Sequence, residues 1–149
     1  MPMAANSCRL LVVEDNDADL FLIRQALDDY GILATVTASA DGETALRLID
    51  SFEAAAIPNA IILDLSLPRV SGWDVLRNLR DRPAFSGIPV MVFSSSPSPP
   101  PHDKHRVELL SNVRYVQKPI GLTNFLRAVG ENVKAMLGEG SSSVQSKAP

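Results

Sequence analysis

At four places in this 149-residue chain, an apolar run gives way to groups able to do polar chemistry. Glu14-Asp15 follow RLLVV, and Asp64 follows AIIL and leads into Leu65-Ser66-Leu67-Pro68, with Gly72 shortly after. Ser94 ends PVMVFS, and Lys118-Pro119 follow VRYVQ. Brought close together, the three carboxylates would raise one another's pKa, because each charge disfavours the next. One lysine offsets part of that charge. A hard divalent cation offsets the rest, and an all-oxygen ligand set suits Mg²⁺, which keeps several of its waters. Zinc fits poorly, since no cysteine or histidine stands near these positions. A carboxylate beside Mg²⁺, a hydroxyl and an ammonium is equipped to take a phosphoryl group. The cation and Lys118 would stabilise charge on the equatorial oxygens, with Asp64 as the in-line nucleophile.

Such chemistry needs these groups on one edge of the fold, and the rest of the sequence indicates how they reach it. Runs of strand length occur at Arg9–Glu14, Leu33–Ala38, Ala60–Asp64, Pro89–Ser94 and Val113–Gln117. Three are rich in β-branched residues with almost no internal polarity, which fits a parallel sheet buried on both faces. Between them lie helical repeats: Leu20, Ile23 and Leu27; Ala45, Ile49 and Phe52; Val75, Leu76 and Leu79. In the last helix Leu122, Phe125, Leu126, Val129, Val133 and Met136 trace one face. Asp17, Asp41, Ser71 and Thr123 stand where N-caps or first-turn acids are useful, and Asp17 is expected to cap the first helix, leaving Glu14-Asp15 for other work. Strand then helix, five times over, gives an α/β fold: a (βα)5 doubly wound parallel sheet, flavodoxin-like, of strand order 2-1-3-4-5. In that order the first and third strands are neighbours, and both end in carboxylates.

Composition narrows the field further. A net charge of −3 and a pI near 5.3 give no basic face for nucleic acid. There is no apolar run of about 18 residues for a membrane span. The N-terminus lacks the basic start and cleavage site of a secretory signal, and the single Cys8 has no disulfide partner, so a cytoplasmic location is expected. Ser94–Pro101 (SSSPSPPP) is too proline-rich to be helical, so the fourth helix is expected no earlier than His102. Residues 1–7 form an N-terminal extension, 8–137 one folded domain, and Gly138–Pro149 a disordered tail. Trp73, His102, His105 and Cys8 read as ordinary packing or surface residues.

The runs LLVVEDN and AIILDLSLPRVSGWDVL, the hydroxyl after PVMVF, and YVQKP occur in that order at the ends of alternating strands. Together they resemble the receiver domain of two-component response regulators, over nearly the whole folded part. The resemblance implies that Asp64 is the phospho-acceptor, with a histidine kinase as donor. It makes Asp15 a direct Mg²⁺ ligand, lets Glu14 reach the metal through water, and adds the backbone carbonyl of Ser66 as a ligand. Ser94, serine where threonine is more usual, becomes the switch hydroxyl that turns toward the phosphate. Lys118 pairs with the phosphoryl oxygens, and its bond to Pro119, often cis in the family, is expected to help aim it. Tyr115 matches the aromatic that swings inward on activation. The stretch DNDADLFLIRQAL, with a longer fourth loop and no output domain, is similar to the single-domain regulators paired with phytochrome-type bacterial kinases.

The expected role is therefore a signalling switch that catalyses only its own phosphorylation and dephosphorylation. Its output would be contact with a downstream protein or return of phosphate along a relay. The face of the fourth helix, fifth strand and fifth helix would change, and would serve a homodimer if one forms. Ser95, Ser96 and the proline stretch depart from the common pattern on that output face. One alternative is a pseudo-receiver adaptor that never uses phosphate; the intact Glu14, Asp15, Asp64 and Lys118 argue against it. A phosphohydrolase of the haloacid-dehalogenase type would place a second aspartate two residues beyond the first, where this chain has Ser66. A flavin carrier would need a glycine- or hydroxyl-rich phosphate loop where Glu14-Asp15 stand.

Overall fold

In the computed structural model, which describes residues 7–95 and 111–141, the apolar runs become strands β1 (Cys8–Val13), β2 (Ala34–Ser39), β3 (Ala60–Leu63), β4 (Val90–Ser94) and β5 (Val113–Gln117). All pair in parallel in one sheet of order β2-β1-β3-β4-β5. Among the described residues the helices are α1 (Asp17–Asp29), α2 (Gly42–Ser51), α3 (Gly72–Arg80) and α4 (Leu122–Ser141), with one short 3₁₀ turn at Ala54–Ala56. The expected order is thus the one adopted. The expected fourth helix, and all of the Ser94–Pro101 stretch beyond Ser95, fall on residues 96–110, outside the described residues.

Every residue of β3 and β4 is buried, because both strands are central and covered on both faces. The two-residue period of a strand then sorts side chains between two cores. Leu10, Val12, Ile62, Met91 and Phe93 face α1 and α4, packing on Ile23, Leu27, Phe125, Val129, Val133 and Met136. Leu11, Val13, Ile61, Leu63, Val90 and Val92 face α2 and α3, packing on Ala45, Ile49, Val75, Leu76 and Leu79. Each such aliphatic or aromatic side chain contributes about 1.5–3 kcal/mol when fully buried. That term explains why β-branched runs, weak as helices, settle here as strands.

Several details differ from the sequence expectations. Asn16, not Asp17, caps α1, accepting the Asp19 N–H on its side chain at 3.0 Å; Asp17 is the first helical residue. Asp41 and Ser71 cap α2 and α3 as expected. Thr123 lies inside α4, whose first turn is instead closed by the Phe125 N–H donating to Gly121 O at 3.0 Å. Leu122, assigned to the buried face, is 57% exposed, since it starts the helix ahead of the point where α4 meets the sheet. At the other end α4 runs to Ser141, so Gly138 to Ser141 are helical backbone rather than tail. A helix docked through Val133 and Met136 extends at the cost of ordering one residue per added hydrogen bond. Residues 142–149 lie outside the described residues.

Candidate functional site at the carboxyl edge of the sheet

Because β1 and β3 are neighbours with Val13 opposite Leu63, the residue after each strand arrives at the same level. Two further ladder bonds fix both: Asp64 N donates to Val13 O at 3.0 Å, and Glu14 N to Ser39 O at 2.9 Å. Glu14, Asp15 and Asp64 thereby each offer a carboxylate oxygen within 4.8 Å of the others. Glu14 and Asp64 are buried and Asp15 is exposed at the rim.

The turn after β3 shapes the surroundings of Asp64. Ser66 N donates to Asp64 Oδ1 at 2.9 Å, and Gly72 N donates to Leu65 O at 3.1 Å, folding the chain back into α3. A Cβ at Gly72 would stand 2.5 Å from Asp64 O and 2.6 Å from Leu65 Cα, so only glycine lets α3 begin this close to Asp64.

Lys118 reaches in from β5. Its N–H donates to Ser94 O at 2.7 Å, one step beyond the last strand pair, and its side chain runs past Phe93, with Nζ 5.8 Å from the ring centroid. The peptide bond to Pro119 is trans, contrary to the cis form expected. The ladder bond to Ser94 already directs the lysine, and trans is the lower-energy form for an X–Pro bond by about 0.5–1 kcal/mol. Nζ donates to Asp19 Oδ2 at 2.8 Å and to Asp64 Oδ2 at 3.2 Å. It also forms an ion pair with Glu14 Oε1 at 2.9 Å. Burial pulls the ammonium's pKa down, but the hydrogen bonds and charges of Asp19, Glu14 and Asp64 outweigh it, holding Lys118 above the usual lysine value. Burial and the Asp64 charge push Glu14 up to about 7, against the opposing pull of Lys118 and the Asn16 N–H.

Glu14, Asp15, Asp64 and Lys118 therefore meet in one place, with the Ser66 amide on Asp64. Ser94 is buried at the end of β4, tied to the site through its carbonyl and paired across the sheet with Gln117. Tyr115 lies opposite Val92, packed on the α2/α3 side of the sheet, with its hydroxyl buried and no hydrogen-bond partner among the described residues. Sequence reasoning missed Asp19. Asn16-x-x-Asp19 has the spacing of a helix cap, which supplies a sufficient local reason for the acid and hides its long-range contact with Lys118.

These residues fit a hard divalent cation. Three carboxylates converge while one ammonium, that of Lys118, faces them, so the all-oxygen cluster keeps an excess of negative charge that a cation would offset.

Comparison with known proteins agrees with this geometry. The family model described as "Response regulator receiver domain" matches residues 10–130. The probable methanogenesis regulatory protein FilR2 of Methanothrix harundinacea is 32% identical over 132 residues, 87% of this chain and 83% of its own length. Among solved structures, the phosphorylated cyanobacterial phytochrome response regulator RcpA superposes with a TM-score of 0.79 at 28% identity, covering 94% of this chain and 99% of that one. The Mn²⁺-bound form of response regulator Rcp1 superposes with a TM-score of 0.70 at 27% identity, covering 95% and 97%. With a flavodoxin-like sheet, acids ending adjacent strands and a family match over most of its length, the chain belongs to the receiver domains of two-component response regulators.

Proposed function

We propose that Asp64 is the phospho-acceptor of this receiver and that a histidine kinase is the donor. The observation that carries the reading is the state of the Asp64 carboxylate. It is buried, its Oδ1 is fixed by the Ser66 N–H, and its Oδ2 faces the Lys118 ammonium among two further acids. A carboxylate so held is oriented for in-line attack on phosphorus and has an ammonium at hand for the oxygens it receives. Mg²⁺ is the natural cation for the site, held by Asp15, Asp64 and the Ser66 carbonyl, with Glu14 acting through water. Bound there, it supplies charge stabilisation for the phosphoryl oxygens.

Ser94 and Tyr115 are the proposed switch. Tyr115's buried hydroxyl, without a hydrogen-bond partner among the described residues, suits a side chain whose preferred position depends on the state of the site. Output then passes through the face that includes β5 and α4, to a downstream protein, a relay partner or a second copy of this chain. The likeness to RcpA, a phytochrome response regulator, favours a phytochrome-type kinase as the donor. The folded unit is read as residues 8–137 extended by the end of α4, working in the cytoplasm. No helix among the described residues is long and apolar enough to cross a membrane.

The test is intact-mass analysis after incubation with acetyl phosphate and Mg²⁺. One phosphoryl adduct is expected, absent with EDTA and absent in Asp64→Asn. No adduct from either acetyl phosphate or kinase would instead assign the chain to pseudo-receiver adaptors.

A further inference from the structure

Lys118 carries three N–H donors and faces three carboxylates, of which Asp19 is the nearest at 2.8 Å. Asp19 sits in the first turn of α1, where an acid ordinarily reaches back to the backbone N–H of the capping residue. That N–H is already taken, because Asn16 N donates to Glu14 Oε2 at 3.1 Å. The helix start is secured by the Asn16 side chain on Asp19 N. The Asp19 carboxylate is therefore released from capping and spans 99 positions of sequence to the lysine.

The charges explain what this contact achieves. Lys118's other partners, Glu14 and Asp64, belong to the group whose oxygens converge within 4.8 Å, and Asp19 does not. A divalent cation among Glu14, Asp15 and Asp64 would draw on the same carboxylates that hold the ammonium, and would repel it at short range. Asp19 alone among the lysine's three carboxylate partners would keep its charge for Lys118.

We infer that Asp19 is a positioning residue, anchoring Lys118 in the metal-loaded site so that its ammonium stays within reach of a phosphoryl group on Asp64. This rests on the reading of Asp64 as acceptor. It assigns α1 a direct part in the chemistry, since the helix carries the lysine's anchor.

The test compares wild type, Asp19→Asn, Asp19→Glu, Lys118→Met and the Asp19→Asn/Lys118→Met double variant. One readout is the rate of phosphorylation by acetyl phosphate at saturating Mg²⁺. The other is the Lys118 ammonium resonance in ¹H–¹⁵N NMR during Mg²⁺ titration. Asp19→Asn is expected to slow phosphorylation ~10-fold, Asp19→Glu to recover much of the rate, and the double variant to be no slower than Lys118→Met alone. The ammonium signal should survive Mg²⁺ in wild type and vanish by exchange with water in Asp19→Asn. Equal slowing in both backgrounds, no slowing at all, or an ammonium signal that survives in Asp19→Asn would overturn the inference. If wild type takes no phosphoryl group, the acceptor reading fails, and the NMR series still decides whether Asp19 holds the lysine.

Discussion

A carboxylate that is 3% exposed beside a second buried carboxylate holds a proton more tightly than one in water, and Glu14 stands near 7 for that reason. Its value in the unfolded chain is near 4.5, so the folded, metal-free protein binds the extra proton. The stability from that proton is fully present below about 4.5 and is lost as pH rises through about 7. Lys118, pushed upward, stays charged over this range and adds no slope of its own. In EDTA the protein is expected to lose stability on the order of 2 kcal/mol between pH 5 and pH 8. Glu14→Gln should flatten that slope and leave the variant more stable than wild type at pH 8. Urea melts across the pH series check both. The acids at 14, 15 and 64 were legible in the sequence because strand ends are read from where apolar runs stop. Asp19 was not, since its contact depends on the fold bringing the residue after β5 beside the first turn of α1, which no local pattern reports.

At the scale of elements, the turn between β3 and α3 is the part with least freedom. Gly72→Ala would drive a methyl group into the Asp64 carbonyl and the Leu65 backbone. Overpacking of this kind costs about 1–3 kcal/mol, and the displaced turn should also loosen the Ser66 amide from Asp64. A lowered melting temperature together with slower phosphoryl uptake is expected. A drop in stability alone would mean that the turn does not set the geometry of Asp64. The cap of α1 offers a milder test. Asn16→Ala should cost about 1 kcal/mol, whereas Asp17→Ala should fall within about 0.5 kcal/mol of wild type, as thermal melts of the pair will show. Periodicity found every described helix but missed this boundary by one residue, because Asn16 and Asp17 are both good caps and only the backbone angles choose between them. The same limit put Leu122 on the buried face: spacing gives a residue's direction around a helix, not whether the sheet extends beneath it.

For the whole molecule, the parallel order follows from simple constraints. Buried runs such as AIIL and VMVF need cover on both faces, and helices supply it on each crossover. The order β2-β1-β3-β4-β5 then places the polar strand ends at the switch point between β1 and β3. The acids that converge there repel one another, and the Lys118 ammonium offsets part of their charge. Mg²⁺ at a hundred times its Kd is expected to stabilise the protein by about 2.7 kcal/mol, seen as a rise of several degrees in Tm. Asp15→Asn should lose most of that rise, while Ca²⁺-free buffer with monovalent salt alone should not reproduce it in wild type.

Under the proposed function, Asp64 and no other side chain carries the phosphoryl group. This is tested most directly by treating the phosphorylated protein with borohydride, which reduces an acyl phosphate to an alcohol, and locating the altered residue by tandem mass spectrometry. The reduced side chain is expected at position 64 alone. Reduction at position 14 or 15, or an acid-stable phosphate on Ser94, would contradict the account.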